Sequence, residues 1–361
     1  MLIIRKDALA RRLILAAVVA ISIARSCAPA FAAPAEIYKV TSSLPVGGEG
    51  GWDYVTLNSA GTLLYITRAT HTMIVSVPGG KPVADIAHLL QAHGVALVPT
   101  AGRGFISDGK DGSVTVFDLT TGSVLGKVAA APDADAIIYD SASNRVIVFC
   151  GDAHRMIAIA PDVDLSRGVP AASIDLGGSP EYAVADGRGK VFVNIADHDE
   201  VAVVDSHLMK VVARWRVDPG KRPTALAIDR ATHRLFIGCR NRILVILDAG
   251  NGKVVATFPI GGGVDATAFY NRLIFASCFD GTLTIVREVA PDEFDIAQTV
   301  ATAPGARTMV VDSHTGTVYM PTADLSPAPP VTVGSQHPRA WPIPGTFRIL
   351  VVTATAAARP Q

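Results

Sequence analysis

The chain has 361 residues, of which 49% are hydrophobic and 18% charged, and its formal net charge is zero. That composition suits a folded sheet protein and argues against long disordered tracts. Length alone would allow two domains or more.

Residues 1–32 read as a secretory leader. Arg5, Lys6, Arg11 and Arg12 form a basic start, Leu13–Ala24 is a short apolar core, and Ala30-Phe31-Ala32 offers small residues at the cleavage positions. The core is too short for a comfortable membrane span. The expected product is therefore periplasmic or secreted, with no transmembrane segment once the leader is gone. It would carry 27 basic and 31 acidic residues, a net charge of −4. A mildly acidic protein has no electrostatic case for general nucleic-acid binding.

Ile37–Val46 is a strand with no local partner. After it one pattern recurs: a block of small and apolar residues, a turn, then a strand opening on a basic or polar residue. The blocks begin at Asp53, His93, Asp135, Glu181, Thr224, Asp265 and Arg307, and the strands that follow are LLYIT, RGFIS, RVIVF, KVFVN, RLFIG, RLIFA and TVYMP. Their third residues (Tyr65, Phe105, Ile147, Phe192, Phe236, Ile274, Tyr319) are 40, 42, 45, 44, 38 and 45 residues apart. The clearest copy, Pro223–Gly261, shows four short β-rich runs joined by turns, here termed strands a to d. One such meander cannot bury both faces alone. Seven at a period in the low forties define an all-β, seven-bladed β-propeller.

The blades run Gly47–Ala87, Leu89–Ala131, Pro132–Gly177, Gly178–Gly220, Pro223–Gly261, Gly262–Ala303 and Pro304–Ala356, all within a single domain, 33–361. Blade 7 lacks a d-strand of its own, so the N-terminal strand is expected to complete it and remove an exposed edge. Ala290–Glu293 is expected to lengthen the c–d turn of blade 6. Asp324–Gly345 separates strands b and c of blade 7 and carries Pro327, Pro329, Pro330, Pro338, Pro342 and Pro344. Proline removes ladder donors, so this stretch reads as a loop, either a lid over one face or a surface insertion. Cys150, Cys239 and Cys278 follow b-strands on different blades and are expected to be buried thiols.

The residues opening strand a form the most informative column. In a propeller they circle one mouth of the central channel, and here they are Asp53, His93, Asp135, Glu181, Thr224, Asp265 and Arg307. With the histidine neutral, this ring carries a charge of about −3, enough to raise its own pKa values or to recruit a cation. His93, Asp135, Glu181 and Asp265 would suit a divalent metal ion. The competing expectation is structural, with carboxylates accepting backbone hydrogen bonds from neighbouring blades. Arg307 could instead pair with Asp265 or Asp53. The b–c loops open on the same face; Arg68, His71, Lys110, Asp152, His154 and His198 read as exposed loop residues. Asp108, Asn194 and Arg240 stand nearer the strand ends and are candidates to reach the mouth. Trp52 is the aromatic candidate there, with packing between blades as its alternative.

The leader, the seven units, and the phrases DAIIYD, PEYAVADGRGKVFVNIAD, HRLFIGCRN, GVDATAF, DGTLTIV and PGARTM resemble the YncE-like proteins, a branch of the YVTN β-propeller family. The likeness spans essentially the whole mature chain. It departs in blade 6, where Tyr270-Asn271-Arg272 replaces a longer, Asp-containing a–b turn. The resemblance implies an exported propeller and no particular reaction. No GxSxG, HExxH, Walker-type loop or CxxCH occurs. Two functions fit: a scaffold binding a small molecule, metal or periplasmic protein at the mouth, or a metal-dependent, lactonase-like hydrolase.

Overall fold

The structure is a computed structural model that describes residues 37–327 and 340–355. Seven four-stranded antiparallel sheets are present, each running a-b-c-d outward. The innermost strand of each blade touches that of the next, and the seventh touches the first, so the ring is closed. The reason lies in the burial pattern. Strands b and c, such as Arg145–Cys150 and Arg155–Ile159, are buried on both faces and are continuous apolar runs. The outermost strand of blade 4, Lys210–Arg216, alternates between half-buried and exposed residues because water covers one of its faces. Seven apolar clusters form, one between each adjacent pair of blades. The core is therefore distributed around the ring.

Packing between blades also explains a glycine. Gly104 lies opposite Phe117 in strands b and c of blade 2, and a methyl group at Gly104 would overlap the Phe117 ring. Gly104→Ala is expected to cost about 1–3 kcal/mol by overpacking. A lower urea midpoint at unchanged slope would be the signature.

The N-terminal strand Ile37–Pro45 closes blade 7 by pairing with Arg348–Thr355. Blade 6 holds it from the side: the Gln298 amide accepts from Tyr38 N–H at 2.9 Å and donates to Tyr38 O at 2.7 Å. The blade 6 hairpin differs from expectation. Strands c and d lengthen to Thr282–Ala290 and Glu293–Ala301, and the turn stays two residues long. At its tip Asp292 meets Arg234 of blade 5 at 2.7 Å. The blade 7 insertion is fastened at its base, where Ser326 N–H donates to Trp341 O and Ile343 N–H to Asp324 O, both at 2.8 Å. The expected leader and the tip of this insertion lie outside the described residues.

Cys150, Cys239 and Cys278 are buried and free. Burial pushes the first up to about 11 and the other two to about 12. These thiols are unreactive at neutral pH. No helix among the described residues is long and apolar enough to cross a membrane.

Candidate functional site

Backbone geometry sets the ring. In blades 2 to 6 the register of strand a against strand b slips at the ring residue. His93-Gly94, for example, lie between the pairs Ala92–Asp108 and Val95–Ile106, opposite Ser107 alone. The same bulge recurs at Asp135, Glu181, Thr224 and Asp265. A bulge re-aims a side chain and takes a residue out of the ladder. The carbonyls at this level then need other partners. Neighbouring blades supply them: Thr67 Oγ1 donates to His93 O at 2.7 Å, Asn194 Nδ2 to Ala225 O at 3.0 Å and Thr308 Oγ1 to Asp53 O at 2.9 Å. Ser107 and Ser277 do the same for Asp135 and Arg307. For Thr67, Ser107, Asn194 and Ser277 the sequence signal is a polar residue in the fifth position of the observed b-strand, whereas Thr308 follows the ring residue Arg307.

The ring divides into two groups. On one side His93 Nδ1 donates to Asp53 Oδ2 at 2.7 Å and lies 3.4 Å from Asp135 Oδ1. Burial opposes a charge on His93, but the Asp53 hydrogen bond and the fields of Asp135, Asp53 and Asp133 outweigh it and raise its pKa to about 9. It is an imidazolium at neutral pH. Burial, then the field of Asp53, pushes the Asp135 carboxyl well above the usual range, against the pull of His93. On the other side Arg307 Nε donates to Asp265 Oδ2 at 2.6 Å, and its Nη2 donates to Trp52 O at 3.2 Å. Arg240 Nη2 stands 3.8 Å from Asp265 Oδ1. Burial raises the Asp265 carboxyl, with Arg307 opposing. Glu181 has no hydrogen-bonding or ion-pair partner among the described residues. Burial pushes it up to about 7, with Arg240 and Arg222 holding it down and Asp265 adding to the rise.

These pairings correct two expectations. His93 is charged and Arg240 joins the ring, so the mouth is a mixed-charge surface and not one of about −3. The ligand-type atoms within 4.8 Å of one another are those of Asp53, His93 and Asp135. Glu181 and Asp265 of the expected metal set stand outside that group, and Asp265 is engaged by Arg307 and Arg240.

The remaining candidates separate. Thr224 Oγ1 turns to the backbone of blade 6, donating to Val264 O at 2.9 Å. Trp52 is buried between blades 7 and 1 against Phe347, with ring centroids 5.7 Å apart, and offers the mouth only its carbonyl. Asp108 faces outward within its own blade, accepting from Thr115 at 2.5 Å and lying 3.4 Å from Lys127. Asn194 braces blade 5. Arg68, expected on an exposed loop, is 1% exposed.

Tyr54 was not anticipated. Burial, followed by the fields of Asp135, Asp53, Asp265 and Glu181, raises its pKa well above the usual tyrosine value. Its ring meets Tyr182 of blade 4 with centroids 5.0 Å apart, so two blades that are not neighbours touch across the channel. The signal was one residue beyond the ring column. Five blades carry Gly94, Ala136, Ala225, Ala266 and Thr308 there, and the two tyrosines fill the space these leave.

No protein-family model matches the chain, and no curated protein matches it. By shape it is similar to the solved structures of U3-55K and of the RRP9 WD40 repeats. The first has a TM-score of 0.69 at 8% identity, covering 86% of this chain and 97% of that one. The second has a TM-score of 0.70 at 8% identity, covering 89% and 99%. At this identity the likeness is one of fold alone, a seven-bladed β-propeller.

Proposed function

We propose that the chain is an exported propeller of the YncE-like kind, with a leader at 1–32 and one domain at 33–361, that binds a ligand at the ring mouth. The observation that carries this reading is Glu181, a half-buried carboxyl with no partner among the described residues, set near arginines on a ring whose other members are paired. Concave surfaces with convergent polar groups are where ligands bind. The tyrosine pair under the ring gives the mouth a floor. Cell fractionation tests export: a mature chain beginning at Ala33 outside the cytoplasm is expected, and an uncleaved cytoplasmic chain would refute it. Alanine at Glu181 or Asp265 is expected to abolish ligand binding and leave the fold intact.

A metal-dependent hydrolase is the second reading, favoured by the close approach of Asp53, His93 and Asp135. Here the ion would activate water and a carboxylate would act as base. A metal must displace the proton on His93, so its affinity would rise with pH. Metal analysis of chelator-free, untagged protein decides: near-stoichiometric metal lost in Asp135→Ala favours this reading, and metal-free protein removes it.

A further inference from the structure

The rim of blades 4 and 5 holds an open pocket of about 520 Å³, lined by Ser179, Glu181, Asp197, Asp199, Lys221 and Arg222 among others. That volume suits a small ligand. Its acids, Glu181 apart, are engaged. Asp197 accepts Ser179 N–H at 2.8 Å. Asp199 accepts Arg222 N–H at 2.8 Å and faces Lys221 at 3.1 Å. Lys221 is engaged in turn, since it also meets Asp218 at 2.8 Å.

The guanidinium groups are different. Among the described residues the Arg222 side chain makes no hydrogen bond or ion pair. The Arg240 side chain makes no hydrogen bond, and its one ion pair among the described residues is with Asp265 at 3.8 Å. Arg240 stands beside the pocket and not in its lining, joined to the lining residue Arg222 through the backbone, Arg240 N–H donating to Arg222 O at 3.1 Å. Arg222 has a φ of +50°, which arginine rarely adopts, and the Asp199 and Arg240 bonds hold it there. Both side chains are exposed and act on Glu181, the one acid in the pocket without a partner among the described residues. Among the described residues the groups without a side-chain hydrogen bond are thus two forked cations, one of them within 3.8 Å of Asp265, and one carboxyl.

We propose that this pocket binds a small organic molecule through an oxyanion, carboxylate or phosphate, held by Arg222 and Arg240 while Glu181 hydrogen-bonds a hydroxyl or ammonium group of the same ligand. Guanidinium forks match such oxyanions in geometry, and a pre-set backbone lowers the ordering cost on binding. With a pKa near 7, Glu181 can either accept from or donate to the second group. This inference rests on the reading of the ring mouth as a binding site and names its ligand chemistry.

The test is calorimetric titration of the mature chain with citrate, glutamate, glycerol 3-phosphate, spermidine and Mn²⁺. At least one anion is expected to bind, with affinity falling about tenfold or more in Arg222→Gln and in Arg240→Gln. His71→Ala, at a pocket between blades 1 and 2, is expected to leave binding unchanged. Binding of citrate or glutamate identifies a carboxylate source; binding of glycerol 3-phosphate alone identifies a phosphate source. The inference is overturned if none of the three anions binds, or if binding survives in the double variant. Spermidine or Mn²⁺ binding that Asp53→Asn removes, with no anion bound, would overturn it and leave the mouth as a binding site of another kind.

Discussion

Replacing Arg68 with methionine is expected to cost about 3–5 kcal/mol, because it strands carbonyls that the guanidinium gathers. Nε donates to Gly51 O at 2.9 Å, and Nη2 donates to Glu49 O at 2.7 Å and Gly50 O at 3.0 Å. The guanidinium also lies 3.7 Å from the centre of the Phe347 ring. Burial lowers its pKa to about 10, with Asp85 opposing, so it stays charged at neutral pH. The loop it gathers, Gly47–Gly51, leads from the closing strand of blade 7 to the inner strand of blade 1. Losing the cation should therefore loosen the closure of the ring. Amide exchange over Ile37–Pro45 would quicken and the urea midpoint would fall. Arg68→Lys is not expected to rescue, since a point charge neither spans several carbonyls nor stacks flat on a ring. A loss below about 1 kcal/mol would show that the loop finds other partners.

Replacing His93 with glutamine is expected to change how stability depends on pH. The His93 pKa is raised in the folded chain, from 6.5 to about 9. Its contribution is thus fully present below pH 6.5 and is lost as pH rises through 9. A rise of that size corresponds to a contribution on the order of 3 kcal/mol. In His93→Gln the neutral amide leaves Asp53 and Asp135 without the cation between them, and of these two Arg307 stands near Asp53 alone, at 3.9 Å. The variant should be markedly less stable than the parent near pH 7, and the two curves should converge as pH rises past 9. Urea unfolding from pH 6 to pH 10 measures this. Parallel curves across that range would mean that His93 is not the cation of the cluster.

What lay open in the sequence is what short-range chemistry writes. Apolar b-strands, turn residues and a period in the low forties specified seven blades, and a partnerless strand at Ile37–Val46 specified how the ring closes. The column from Asp53 to Arg307 was legible because each member opens the same strand. One more column was readable and went unread. Counted from the observed strand starts, which in blades 6 and 7 are Leu273 and Val318, the sixth b-strand position holds Cys150, Ile195, Cys239, Cys278 and Ala323, all buried, and Arg68 and Asp108 occupy it in blades 1 and 2. Two ionisable groups in an otherwise apolar column are buried ones, each with partners, and not loop polars.

The partners within the ring were decided by tertiary structure alone. No spacing says that His93 takes Asp53 and Asp135 while Arg307 and Arg240 take Asp265, because those choices depend on how far bulged strands of separate blades project into one channel. Tyr54 and Tyr182 are distant in the chain and meet only because the ring places blades 1 and 4 across from each other. Charge at the mouth follows the same rule. A sequence counts side chains, whereas distance and burial decide which of them hold a proton. The sequence by itself thus determined the propeller and the level of its ring; only the assembled ring decided that His93 is a cation and that Glu181 has no partner among the described residues.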